Sequence, residues 1–77
     1  MEIKVWKVPD PVEPSKHEYK YSLFYGRRGE RLIGYDNERG KGDHMHVGGS
    51  ERPYVFRGLD QLLNDFFAEV RRVGGEP

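Results

Sequence analysis

Leu59-Asp60-Gln61-Leu62-Leu63-Asn64-Asp65-Phe66-Phe67-Ala68-Glu69-Val70-Arg71-Arg72-Val73 is the segment on which the fold of this chain depends. Leu59, Leu62, Leu63, Phe66, Phe67, Val70 and Val73 recur at three- and four-residue spacing, so all seven fall on one stripe of a helix. Gln61, Asn64, Asp65, Glu69, Arg71 and Arg72 occupy the other side. Asp60 early and Arg71 and Arg72 late complement the helix dipole, and Gly74-Gly75 stops the helix. Burying seven large apolar side chains at about 1.5–3 kcal/mol each contributes on the order of 10–20 kcal/mol gross, before ordering entropy. A helix over 59–73 with such a stripe must lie across a sheet.

The rest of the chain supplies that sheet. Ile3 and Val5 alternate with Lys4 and Trp6 in a first strand over 2–7. Pro9, Pro11 and Pro14 hold residues 8–16 as an extended connector, because proline cannot donate to a ladder and keeps its predecessor out of the helical region. Tyr19, Tyr21, Leu23 and Tyr25 alternate with Glu18, Lys20, Ser22 and Phe24, the period of a strand. Arg27-Arg28-Gly29 turns the chain and residues 31–36 return, making a β-hairpin of 17–36. A polar, glycine-rich loop is expected over 37–43, with short strands over 44–47 and 53–56. The expected architecture is α+β: an antiparallel sheet of four to five strands with one C-terminal amphipathic helix packed on one face. A one-helix layer leaves the other face open. Tyr19, Tyr21, Tyr25 or Tyr35 then either fill half-buried strand positions or stack bases or a partner.

Seventy-seven residues make one domain, and a chain this small hides only about 60% of its unfolded surface on folding. Cysteine is absent, which excludes a disulfide framework and a thiolate zinc site and fits a reducing cytoplasm. No apolar run of signal-peptide or membrane-spanning length occurs. Thirteen basic residues balance thirteen acidic ones, so there is no global field for polyanions. Distribution matters more: acid collects at Asp60, Asp65, Glu69 and Glu76, while Arg27, Arg28, Arg31, Arg39 and Lys41 gather in the middle.

The chemistry concentrates in Asp36-Asn37-Glu38-Arg39-Gly40-Lys41-Gly42-Asp43-His44-Met45-His46. If 44–46 are extended, the two imidazoles point the same way. Three readings compete. The pair can be ordinary surface residues of a loop. It can supply two metal ligands, with Asp36, Glu38 or Asp43 as the third. Or one imidazole deprotonates a ribose 2′-hydroxyl while the other, or a carboxylate, protonates the leaving 5′-oxygen, a task suited to a pKa near neutrality. Arg39 and Lys41 would then hold the scissile phosphate, with Asp36, Glu38 and Asp43 orienting the imidazoles. Asp36-Asn37 is also ordinary turn chemistry, and Glu38 with Arg39 and Lys41 an exposed ion-pair cluster.

The string Gly34-Tyr35-Asp36-Asn37-Glu38-Arg39-Gly40-Lys41-Gly42-Asp43-His44-Met45-His46, with Glu51-Arg52-Pro53-Tyr54-Val55-Phe56 and the Leu62 to Phe66 helix segment, resembles the TumE family of small bacterial and archaeal toxins. The resemblance covers Val5 to Arg72. It implies a toxin–antitoxin cassette with a cognate helix-turn-helix antitoxin; RNA cleavage enters by analogy with small toxins of this kind. Many members begin with another strand before the segment matching Glu2 to Trp6. Arginine is frequent at the position of Met45. The expectation is therefore a cytoplasmic, metal-independent endoribonuclease toxin without cofactor. In it His44 and His46 are the acid–base pair, Arg39 and Lys41 bind phosphate, and Tyr35 stacks a base or donates a hydrogen bond. Its partners are the antitoxin and RNA, with no membrane, and the isolated protein is a homodimer. A non-catalytic interaction module and a metal-dependent nuclease are the alternatives.

Overall fold

A computed structural model describes residues 1–74. Five strands run β1 (Glu2–Lys7), β2 (Tyr19–Arg27), β3 (Glu30–Glu38), β4 (Gly42–Val47) and β5 (Ser50–Pro53), followed by α1 (Leu59–Arg72). The strands pair antiparallel in chain order, β1-β2-β3-β4-β5. This is the expected sheet with one helix on one face. Gly75 and Glu76, read above as part of the helix stop and of the acidic C-terminal segment, lie outside the described residues.

Each turn has a local cause. Arg28 (φ 56°) and Gly29 (φ 77°) both sit in the left-handed region between paired Arg27 and Glu30, the backbone that a two-residue hairpin requires. A register shift follows at Tyr25/Gly26, where a Cβ on Gly26 would come within 2.1 Å of the Glu30 carbonyl oxygen. Gly48-Gly49 closes β4 onto β5, so pairing resumes at once with Val47 opposite Ser50.

Two expected boundaries move. The loop of 37–43 shrinks to Arg39, Gly40 and Lys41, because β3 continues to Glu38 and β4 starts at Gly42. Asn37 is the reason: it is fully buried, its Oδ1 accepts the Tyr21 N–H (2.9 Å) and its Nδ2 donates to the Tyr19 carbonyl (2.7 Å). An asparagine read as turn chemistry thus extends the β2–β3 ladder with its side chain. The last strand, expected over 53–56, instead occupies Ser50–Pro53. The tight Gly48-Gly49 turn brings the pairing forward, and Tyr54 and Phe56 then leave the sheet edge to pack against the core.

The core is the Tyr21 face. Tyr21, Leu23, Ile33, Tyr35 and Met45 from the sheet are buried against Leu62, Phe66 and Val70 of α1. Tyr35 meets Tyr54 and Phe66 edge-on, at centroid separations of 5.0 and 6.0 Å. The base-stacking reading of Tyr21 and Tyr35 is corrected by this burial: neither ring is available to a ligand. The helix lies over β3, so Ile3 and Val5 of β1 share its face of the sheet yet stay partly exposed.

Candidate functional site on the open sheet face

Residues directly opposite in an antiparallel pair share a face. The register therefore aligns Ser22, Asp36, His44 and Pro53 in one row across the uncovered side, and Phe24, Gly34, His46 and Glu51 in the next. Asp36, His44, His46 and Glu51 come together there from three strands. The His44 and His46 rings stand 5.2 Å apart and edge-on. His44 Nε2 lies 2.5 Å from Asp36 Oδ1, and Glu51 Oε1 lies 3.9 Å from His44 Nε2 and 4.0 Å from His46 Nε2. Burial is graded across the cluster, from 6% side-chain exposure at His44 to 45% at Glu51.

His44 is held from both sides. Its Nδ1 is 3.0 Å from the Gly42 carbonyl oxygen. A carbonyl only accepts, so Nδ1 carries a proton and Nε2 is the nitrogen turned to Asp36. Yet Asp36 Oδ1, buried, has no hydrogen-bond partner among the described residues, because the close His44 nitrogen is not aligned to donate to it.

Cations flank the cluster. Lys41 Nζ is 3.6 Å from Glu51 Oε1, and Lys41, Asp43, His44, Glu51, Arg52 and Pro53 line a shallow depression at the β4–β5 edge. Arg31 crosses the face at Gly34: a Cβ there would touch Arg31 Cδ at 3.5 Å and His46 Cδ2 at 3.8 Å. Its guanidinium sits 4.9 Å above the Phe24 ring. Arg31 and His46 thus lie side by side across Gly34, where a Cβ would stand in ordinary van der Waals contact with both.

The other expected site residues go elsewhere. Glu38 ends β3 opposite Gly42, exposed. Arg39 borders a separate hollow with Glu13, Pro14 and Gly40. Tyr35 is in the core. Met45 points to the helix side, where its sulfur accepts from Arg52 Nε at 3.5 Å, so an arginine in its place would not face the histidines from here. Asp43 also turns to the helix side. Its carboxylate accepts from the Ser15 hydroxyl, from His17 Nε2 (2.7 Å) and from the Tyr21 hydroxyl (2.8 Å). Burial alone would raise the Asp43 carboxyl, but these donors outweigh it and hold it below its usual value. His17 accepts the Tyr19 N–H on Nδ1 at 3.2 Å and stacks on Phe56 at 3.8 Å. This network fastens the proline connector to the sheet. Sequence reasoning missed Glu51 and Arg31 as site residues; Glu51 was findable from the two-residue Gly48-Gly49 turn, which sets it opposite His46.

The family model described as Toxin TumE matches residues 1–73. The chain belongs to the TumE toxin family. No curated protein and no solved structure is significantly similar to it. The TumE match spans every strand and the helix, so the open-face cluster lies wholly inside the matched region. No helix among the described residues is long and apolar enough to cross a membrane.

Proposed function

We propose that this TumE-family toxin acts by cleaving RNA, with Asp36, His44, His46 and Glu51 as the reaction centre and Lys41 and Arg31 as the phosphate-binding cations. The observation that carries the reading is the convergence of two imidazoles and two carboxylates on a bare sheet face beside basic side chains. Transesterification needs a group that takes the 2′-hydroxyl proton, a group that gives a proton to the 5′-oxygen, and positive charge at the phosphate. All three kinds of group are within reach of one depression. Phe24 and Trp6, on the same face, offer rings for unpaired bases.

The acid–base pairing of His44 with His46 meets an obstacle. His44 spends Nδ1 on Gly42 and turns Nε2 into the protein, so it has no nitrogen free for a substrate. His46 and Glu51 are the open groups, and they are the ones a metal-free mechanism would use. The proposal keeps the cognate helix-turn-helix antitoxin, a homodimeric resting state and a cytoplasmic setting. The outer edge of β1, where Ile3, Val5 and Trp6 stay exposed, is consistent with self-association or antitoxin docking.

The test is incubation of purified protein with single-stranded RNA, comparing wild type with His46→Ala, Glu51→Gln and Arg39→Ala. Cleavage should fall at least 100-fold in the first two, by analogy with loss of a general acid or base, and hold in the third. RNA left intact by the wild-type protein would refute the reading.

A further inference from the structure

We infer that Asp36, His44 and His46 form a binding site for one divalent transition-metal cation, with Glu51 on its fourth side. The inference rests on the same cluster as the proposed nuclease centre but not on RNA being the substrate. One ligand atom from each of the three residues can be chosen so that all lie within 4.8 Å of one another. A cation bonded to imidazole nitrogen and carboxylate oxygen at about 2.0–2.2 Å gathers its donors about 3–3.5 Å apart. His44 Nε2 and Asp36 Oδ1 are already closer than that, and a small swing of the carboxylate outward admits the ion.

Two features of the ligands point the same way. The Gly42 carbonyl fixes the Nδ1–H tautomer of His44, which leaves a lone pair on Nε2; this is how ligating histidines are held by a second contact. The Nε2 lone pair takes the direction a Nε2–H would have, so it points beside Asp36 Oδ1 rather than at it, and that buried oxygen has no donor among the described residues. Two acceptors 2.5 Å apart repel unless something positive lies against both. An imidazolium–carboxylate pair would also remove the repulsion, but it needs a Nε2–H aimed at the oxygen, and that alignment is missing. A cation satisfies both atoms at once.

The donor set selects the ion. Two imidazoles and one carboxylate suit zinc(II), cobalt(II) or nickel(II), whereas magnesium(II) prefers an all-oxygen, mostly hydrated octahedron. Three protein ligands leave a position open, the arrangement of reactive rather than structural sites. Glu51 Oε1, about 4 Å from both His Nε2 atoms, can close the fourth position or stay beside it as a base, releasing Lys41 to a phosphate oxygen.

The experiment is titration of chelator-treated protein with cobalt(II), followed by its visible d–d absorption, and with zinc(II) by calorimetry. Magnesium(II) serves as a control, and circular dichroism verifies each variant's fold. One equivalent should bind. Affinity should fall at least tenfold in His46→Ala and in Asp36→Asn and hold in Glu38→Gln, whose carboxylate is nearby but outside the cluster. No binding, or binding unchanged in both ligand variants, overturns the inference. Active RNA cleavage alongside either of those results would leave the nuclease reading standing without the metal. Tight, cluster-dependent binding with RNA left intact would do the reverse.

Discussion

Asn37 and Asp43 show how single side chains set up the site without belonging to it. Asn37 replaces two ladder contacts with its own amide, and the strand it prolongs carries Asp36 to its place opposite His44. Asn37→Ala leaves the Tyr21 N–H and Tyr19 carbonyl without these partners, at a cost of about 2 kcal/mol. For a domain of this size that lowers the melting midpoint by roughly 8–16 °C. Thermal melts followed by circular dichroism would check it. Asp43→Ala should destabilise comparably while leaving metal binding by the folded fraction intact, since its carboxylate faces the other side of the sheet. His44 and His46 were legible as a pair because alternation in any extended segment sends i and i+2 to one side. Arg39 and Asp43 were not, since their placement depends on which residues are strand and which are turn. That boundary was set by the buried Asn37, which sequence alone reads as a loop residue.

Helix α1 was the most legible element, because a stripe of seven apolar residues has no other stable use. Phe66 is fully buried and meets Tyr35 edge-on. Phe66→Ala should cost about 3–5 kcal/mol, most of the stability of so small a domain, with urea denaturation as the measurement. The short β5 was misplaced by three residues in the reading from sequence. A strand of four residues has too little periodicity to fix its register, and the turn beside it sets the register instead. That small shift hid Glu51 from the candidate site, because a residue taken as loop has no assigned face.

Across the whole fold, three phenols sit on the helix side, Tyr21 and Tyr35 buried and Tyr54 half-buried. Burial first, and then the neighbouring carboxylates, raise Tyr21 and Tyr54 well above the ordinary phenol range, and Tyr35 is pushed up to about 12. A folded-state pKa above the unfolded value stabilises the fold below about pH 10 and loses that contribution as pH rises through the folded value. Alkaline unfolding should therefore begin above about pH 10, and tyrosinate absorbance from these three rings should appear together with loss of the helix signal. Smooth ionisation of all five tyrosines ahead of unfolding would contradict it.

The same layering assigns work to the two sides of the sheet: α1 and the aromatic core close one, and the Asp36, His44, His46 and Glu51 cluster lies on the other. The most direct measurement is amide chemical-shift mapping of the folded protein titrated with a short 2′-O-methyl RNA, which binds but cannot be cleaved. Perturbations should gather at Lys20, Arg31, Gly34, Lys41, His44, His46 and Glu51 and spare Leu62, Phe66 and Val70. Shifts centred on the helix, or none at any concentration, would mean that the uncovered face is not where this toxin meets its target.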